Sequence, residues 1–218
     1  MFVDRSDAGR QLAGALTGYK GQPIVIYALP RGGVVLGVEV ARALEAPLDL
    51  IVVRKIGHPH SPEYAIGAVA EDGYVVSNPA EIATLGLKWL DRASAVELAE
   101  ARRRRAVFLR GRSPIDVKDK IAIIIDDGLA TGLTMQAAIH EIRKRNPKEV
   151  VVAVPVAAAD TVNRLRPEVD DLIVLDVPRG WFGAIGSFYR YFDQVSDDEV
   201  VALMKSVAPV ETGKTLPA

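Results

Sequence analysis

The sequence predicts an α/β protein: an open, mostly parallel sheet of about five core strands with helices on both faces. Three observations predict it. Strand-like runs recur that are β-branched and nearly unalternating, the signature of strands buried on both faces. Helical stretches separate those runs. At residues 121–134 one apolar run passes through two acids and a Gly/Thr loop directly into a helix.

The elements follow in order. The run 24-IVIYAL-29 leads into a helix over 34-VVLGVEVARALE-45, and 50-LIVVRK-55 reads as the second core strand. Residues 57-GHPHSPE-63, rich in Pro, Gly and His, read as an exposed, mobile loop. In 66-IGAVAEDGYVVSNP-79 two short strands flank Asp72-Gly73, a favourable hairpin turn. A long charged helix follows, from Ala80 to Leu109, interrupted near Gly86. The third core strand is 121-IAIIID-126, with its helix over 134–146 ending before Pro147. Then come 150-VVVAVP-155, a helix over 159–166 ending before Pro167, and 172-LIVLDV-177. An aromatic-rich tail begins at residue 178; in it Ser196-Asp197-Asp198-Glu199 reads as an N-cap followed by first-turn acids. Residues 207–218 read as a frayed end.

This divides the chain into a core over 1–177 and a hood segment with tail over 178–218. The core carries a flexible loop near 56–66 and an inserted hairpin and helix over 66–109.

Composition narrows the function. The 27 basic and 28 acidic residues leave a net charge of −1, which gives no general pull toward nucleic acid or anionic membrane. With no cysteine there are no disulfides and no thiolate metal sites. No basic stretch precedes an apolar one at the start, and no apolar run approaches the ~20 residues that cross a bilayer, so a soluble cytoplasmic protein is expected.

The chemistry concentrates at strand ends, where open α/β sheets place their sites. Asp126 and Asp127 repel each other unless a cation or hydroxyl donors satisfy them, and a sugar diol supplies such donors. In 128-GLATGLT-134 backbone N–H groups converge at a helix N-terminus and Thr131 and Thr134 add hydroxyls, an arrangement suited to a monophosphate. The segment lacks the lysine of a Walker loop and the G-x-G-x-x-G of a dinucleotide site. The plain alternative is an Asp-Gly turn with threonine caps.

The stretch IAIIIDDGLATGLT resembles the phosphoribosyl pyrophosphate signature of the type I phosphoribosyltransferases. The resemblance extends over about residues 20–180 and departs mildly at Gly128, where a small apolar residue is more usual. It implies transfer of a 5-phosphoribosyl group from phosphoribosyl pyrophosphate to a nitrogenous acceptor, a base or amine, with Mg²⁺ as cofactor and release of pyrophosphate. By that resemblance Asp126 and Asp127 lie along the ribose hydroxyls and hold the metal directly or through water. Gly128, Leu129, Ala130, Thr131, Gly132, Leu133 and Thr134 line the phosphate side.

Arg31 and Gly32, after the first strand, match the pyrophosphate loop; Arg31 supplies a donor fork. Lys55, with Arg54 beside it, is the second pyrophosphate contact, and strand alternation lets only one of the two face the ligand. Arg31, Lys55 and Asp127 form the catalytic set, with Asp127 also the nearest candidate for managing the acceptor proton. Trp181 and Phe182 stand where an aromatic ring can stack on a planar base; Phe188, Tyr189, Tyr191 and Phe192 are expected to cement the tail to the sheet. The segment 178-PRGWFGAIGSFY-189 departs from the hood of hypoxanthine and guanine enzymes, which leaves a pyrimidine or an unusual amine open. His58 and His60 are candidates to approach the leaving group; with Glu63 their flexible, Pro-rich spacing points only weakly to a metal site, and His140 is expected on a helix surface.

The tract 102-RRRR-105 suggests RNA only weakly: it reads as a solvated helix face, and because it covers every side of a helix at least one arginine is expected in an ion pair or subunit contact. Since fold does not fix function, a rival is a non-catalytic regulator on the same fold that binds the sugar phosphate or RNA. Another sugar-phosphate enzyme, or a component serving a hydrolase partner, are further rivals. A homodimer through the 80–109 helix fits the family resemblance.

Overall fold

A computed structural model of the protein describes residues 1–180 and 183–207. Helix α1 (Arg5–Ala15) opens the chain, its first turn capped by the Asp4 side chain, which accepts from the Asp7 N–H. Strand β1 (Ile24–Ala28), helix α2 (Gly32–Leu44) and strand β2 (Leu48–Leu50) follow. A separate unit comes next: β3 (Val53–His58), β4 (Ser61–Ala70), β5 (Val75–Ser77), α3 (Pro79–Leu85) and α4 (Leu87–Leu109). The chain then returns to the core with β6 (Ile121–Ile125), α5 (Leu133–Arg143), β7 (Glu149–Val156), α6 (Ala159–Leu165) and β8 (Asp171–Asp176). Helix α7 (Asp197–Ser206) starts in a complete capping box between Ser196 and Glu199.

The main sheet has five parallel strands in the order β2-β1-β6-β7-β8. The inner strands β1 and β6 carry no charged residue because both their faces are covered. Ile24, Ile26, Ile123 and Ile125 pack under α1, α2 and α7, while Val25, Ala122, Ile124 and Val152 pack under α5 and α6. Each such aliphatic side chain contributes roughly 1.5–3 kcal/mol when fully buried. Strand β1 has β2 on one side and β6 on the other, so successive crossovers diverge there. The diverging loops open a crevice beyond the C-terminal ends of β1 and β6.

The apolar run 50–55 is not one core strand. Leu50 ends β2, and Val53 begins β3 of a second, three-stranded antiparallel sheet ordered β3-β4-β5. Residues 51 and 52 are buried between the two sheets, so hydropathy runs on unbroken where the backbone changes ladders. The segment 56–66, expected as a loop, forms the β3–β4 hairpin, with register shifts at Gly57. A Cβ on Gly57 would fall 2.2 Å from the Pro62 carbonyl oxygen, so only glycine lets the two strands cross there. The hairpin at Asp72-Gly73 has the expected position, and Gly86, at φ +85°, separates the two charged helices.

The small sheet and α4 enclose a minor core of Ile56, Ile66, Val69, Ile82 and Leu90. Among the described residues no helix is long and apolar enough to cross a membrane.

Candidate active site

A cleft of about 250 Å³ sits in the crevice between β1 and β6. One wall is the end of β6. Asp126 and Asp127 follow Ile125 directly, and the Asp126 carboxylate accepts from the Asp127 N–H at 2.9 Å. Burial first, and then the neighbouring Asp127 charge, push the Asp126 carboxyl well above the ordinary carboxylate range; Lys55 and Arg5 pull the other way. Ionising both carboxyls here is therefore unfavourable unless a cation or a diol in the cleft offsets the charge.

Asp127 is held from behind. Arg5 Nε donates to its Oδ2 at 2.8 Å, and Tyr189 Oη donates to its backbone carbonyl at 2.6 Å. The Arg5 guanidinium lies 3.7 Å from the Phe192 ring centroid, and Tyr189 packs on Phe192 and Phe2. Burial and the nearby acids push the Tyr189 phenol up, so it remains a neutral donor. Tyr189 and Phe192 thus pack the tail onto the sheet and brace the acid pair as well. Tyr191 is exposed and does not pack there.

The second wall is the loop 128–134. Gly128 has no room for a side chain: a Cβ would lie 2.7 Å from Ile185 Cγ2 and 3.0 Å from Val156 Cγ1. This accounts for the glycine at the position where the sequence departs from the family pattern. Leu129 anchors the loop as a core residue, bridged to Ala157, with its side chain buried. Helix α6 sets the next two peptides: Thr161 Oγ1 donates to the Ala130 carbonyl and Arg164 donates to the Thr131 carbonyl. Because N–H and C=O point oppositely in a trans peptide, the amides of Thr131 and Gly132 turn away from α6. Gly132 has φ +73° and caps α5, whose first-turn amides add to the same field. Thr134 lines the cleft; Leu133 does not, and instead packs against the core beneath α5 and lines a neighbouring groove with Tyr64.

The third wall is the loop after β1. The Pro30–Arg31 peptide is cis. A Cβ on Gly32 would lie 1.9 Å from Asp127 Oδ2, so glycine is what lets this loop close on the acids. Arg31 lines the cleft with its guanidinium 3.5 Å from Asp197 at the start of α7. Across from it stand Arg54 and Lys55, which lie near the start of β3 rather than at a core strand end. Arg54 is bound to Glu97 of α4 at 2.8 Å, whereas exposed Lys55 has no ion pair among the described residues and its field reaches Asp126.

The cleft thus gathers Arg31, Gly32, Arg54, Lys55, Asp126–Gly132 and Thr134. Trp181 and Phe182 lie outside the described residues. Three contributors escape a reading of the sequence: Arg5, Arg104 and Ile185. Asp4 as an N-cap before a short amphipathic stretch was the signal for α1; nothing local ties Arg5 to an acid 122 positions on.

His58 and His60 sit at the hairpin turn, their ring centroids 5.6 Å apart. His140 is not a bare surface residue: it stacks on Tyr74 with ring centroids 3.3 Å apart. Among the described residues no group of three or more side chains could by itself hold a metal ion.

A parallel sheet with an acid pair, a glycine- and threonine-rich loop and a basic loop around its switch point is consistent with the phosphoribosyltransferase class. The chain belongs to the phosphoribosyl transferase domain family, whose model matches residues 5–193 and so includes Arg5. It is 45% identical over 206 residues to MT0597 of Mycobacterium tuberculosis (strain CDC 1551 / Oshkosh), whose name marks it as a candidate phosphoribosyl transferase. That alignment covers 94% of this chain but 46% of the relative, so the chain spans about half the relative's length. It also resembles the crystal structure of TT1426 from Thermus thermophilus, with a TM-score of 0.78 and 39% identity over 94% of this chain and 98% of that one. A uracil phosphoribosyltransferase of Bifidobacterium longum subsp. infantis is 28% identical over 142 residues, covering 63% of this chain and 62% of the relative.

Proposed function

We propose that this protein transfers the 5-phosphoribosyl group of phosphoribosyl pyrophosphate to a nitrogenous acceptor and releases pyrophosphate. The observation that carries the reading is the meeting of unlike groups in one small cleft: the acid pair, the glycine- and threonine-rich loop at a helix start, and the cations Arg31 and Lys55. Family membership supports the same chemistry.

In this reading the amides of Thr131 and Gly132 with the Thr134 hydroxyl take the 5-phosphate, and Asp126 and Asp127 accept from the ribose hydroxyls. Fixing the sugar at both ends exposes C1 to in-line displacement. The bond from C1 to pyrophosphate breaks ahead of the bond to the acceptor, so positive charge grows on the sugar and negative charge on the leaving group. In this reading Arg31 and Lys55, which line the cleft, meet that negative charge. Two adjacent carboxylates also fit Mg²⁺, which is commonly held by one or two carboxylates with substrate oxygens completing its shell. The ion, held directly or through water, would neutralise the leaving group. In this reading Asp127 is the candidate to take the acceptor proton.

The rival reading of an RNA-binding regulator leaned on 102-RRRR-105. Those arginines are engaged by acids and carbonyls of the chain itself: Arg103 and Arg104 by Glu100, Arg105 by Glu71 and the Leu50 carbonyl, Arg102 by the Glu71 carbonyl.

The test is incubation with phosphoribosyl pyrophosphate, Mg²⁺ and a panel of nucleobases and amines, uracil first, following pyrophosphate release. Release with at least one acceptor is expected. Arg31→Ala and Asp127→Asn should each slow it at least tenfold, about 1.4 kcal/mol of barrier. Tight substrate binding with no release across the panel would replace the enzyme with a sensor of the sugar diphosphate.

A further inference from the structure

A second and larger cavity, about 610 Å³, lies on the other side of α4 from the cleft, and no residue lines both. The arginine tract divides between them: Arg104 faces the cleft, Arg102 and Arg105 the cavity. Its remaining walls come from the β4–β5 turn, the C-terminal half of α5 and the residues just after α4, with Ala106 and Leu109 as an apolar floor.

The charges here do not balance. Five basic side chains line the cavity against three acidic ones. The three acids have partners within the wall: Asp72 with Lys144 at 2.7 Å, Glu71 with Arg105 at 2.9 Å, and Glu141 with Arg145. That leaves Arg102, whose Nε reaches only the Glu71 carbonyl, and Arg112, whose side chain has no partner among the described residues. Polar atoms deeper in the wall are also unmatched. Arg145 Nη1 is a buried donor without a hydrogen bond, and Arg105 Nη2 has only Asp49 Oδ1 near it, at 3.7 Å. The Glu141 side chain is only 3% exposed. Buried polar groups in native proteins are satisfied almost without exception, so the unmatched Arg145 donor and the loosely held Arg105 donor leave guanidinium capacity in this wall for an acceptor.

We propose that this cavity is a second ligand site that binds a phosphate group, free or carried by a small organic molecule. Arg102 and Arg112 at the rim meet the phosphate oxygens as donor forks. The volume exceeds what a bare phosphate fills, and the Ala106–Leu109 floor suits an organic body attached to it. Burial pushes the Glu141 carboxyl up to about 8, so near neutral pH it holds a proton and does not repel an anion. The site stands apart from the cleft and does not depend on which reaction occurs there.

The test is calorimetric titration of the wild-type chain, the R102A/R112A double variant and the Arg112→Glu single variant. The probes are inorganic phosphate and uridine monophosphate. Neither arginine lines the cleft, so binding there persists in all three proteins. The wild type is expected to show a second binding event that both variants weaken at least tenfold, with circular dichroism unchanged. If uridine monophosphate binds that second site more tightly than phosphate, the natural ligand is a phosphorylated molecule; equal affinities identify the free anion. A single binding event in the wild type, or a second event that both variants retain, overturns the proposal.

Discussion

Arg5 carries the sharpest test of how the acid pair is held. Its Nε meets Asp127 Oδ2 at 2.8 Å, with the two side chains only 12% and 14% exposed. A hydrogen bond between charged groups contributes roughly 1.5–3 kcal/mol, and the stack on Phe192 about 0.5–2 kcal/mol more. Arg5→Ala also removes one of the two cations that offset the Asp126 charge. The loss should therefore be about 3 kcal/mol. For a chain of this size each kcal/mol moves Tm by about 2–4 °C, so a fall of roughly 6–12 °C is expected. The contact itself is isolated by a double-mutant cycle of Arg5→Ala with Asp127→Ala, read by urea unfolding. A coupling of about 1.5–3 kcal/mol is expected. A coupling below ~0.5 kcal/mol would mean that Asp127 is positioned by something else, and the account of the rear wall would fail.

Three further outcomes follow from the geometry. Glu141 holds its proton more tightly in the folded chain, up to about 8 against an ordinary 4.5, so stability should fall as pH rises through that window. Glu141→Gln should flatten the fall by on the order of 1–3 kcal/mol, seen as urea midpoints that converge between about pH 5 and pH 8.5; an unchanged slope would contradict the burial argument. Gly132→Ala must adopt φ +73° and place its Cβ 2.6 Å from Thr161 Cγ2, so it should lose about 1–2 kcal/mol of stability by calorimetry. Its affinity for a sugar 5-phosphate should fall with it. Lys55→Ala should slow pyrophosphate release at least tenfold, about 1.4 kcal/mol, whereas Arg54→Ala should chiefly loosen the half-exposed pair with Glu97 by about 0.2–1 kcal/mol. The reverse ranking would exchange their roles.

The four core runs at 24, 121, 150 and 172 were legible because burial on both faces leaves an unbroken apolar string. The same property hid the break after Leu50, since Ile51 and Val52 are buried too. The acid pair and its loop were legible because one local stretch carries strand, acids, glycines and helix start together. Arg5, Arg104 and Ile185 were not, because each reaches the cleft from a distant segment through packing alone. The arginine tract was legible as a helix covered on every side, but its partners Glu71 and Asp49 are fixed only by tertiary contact.

The split at residues 51–52 has a mechanical meaning. Asp126 and Asp127 hang from the hydrogen-bond ladder of the large sheet, whereas Lys55 rides on the small one, seated by the packing of α4 and α5 against it. The two halves of the cleft therefore rest on separate chassis. Loosening the small one, by trimming Leu90 for example, would shift Lys55 and leave the acid pair where it is.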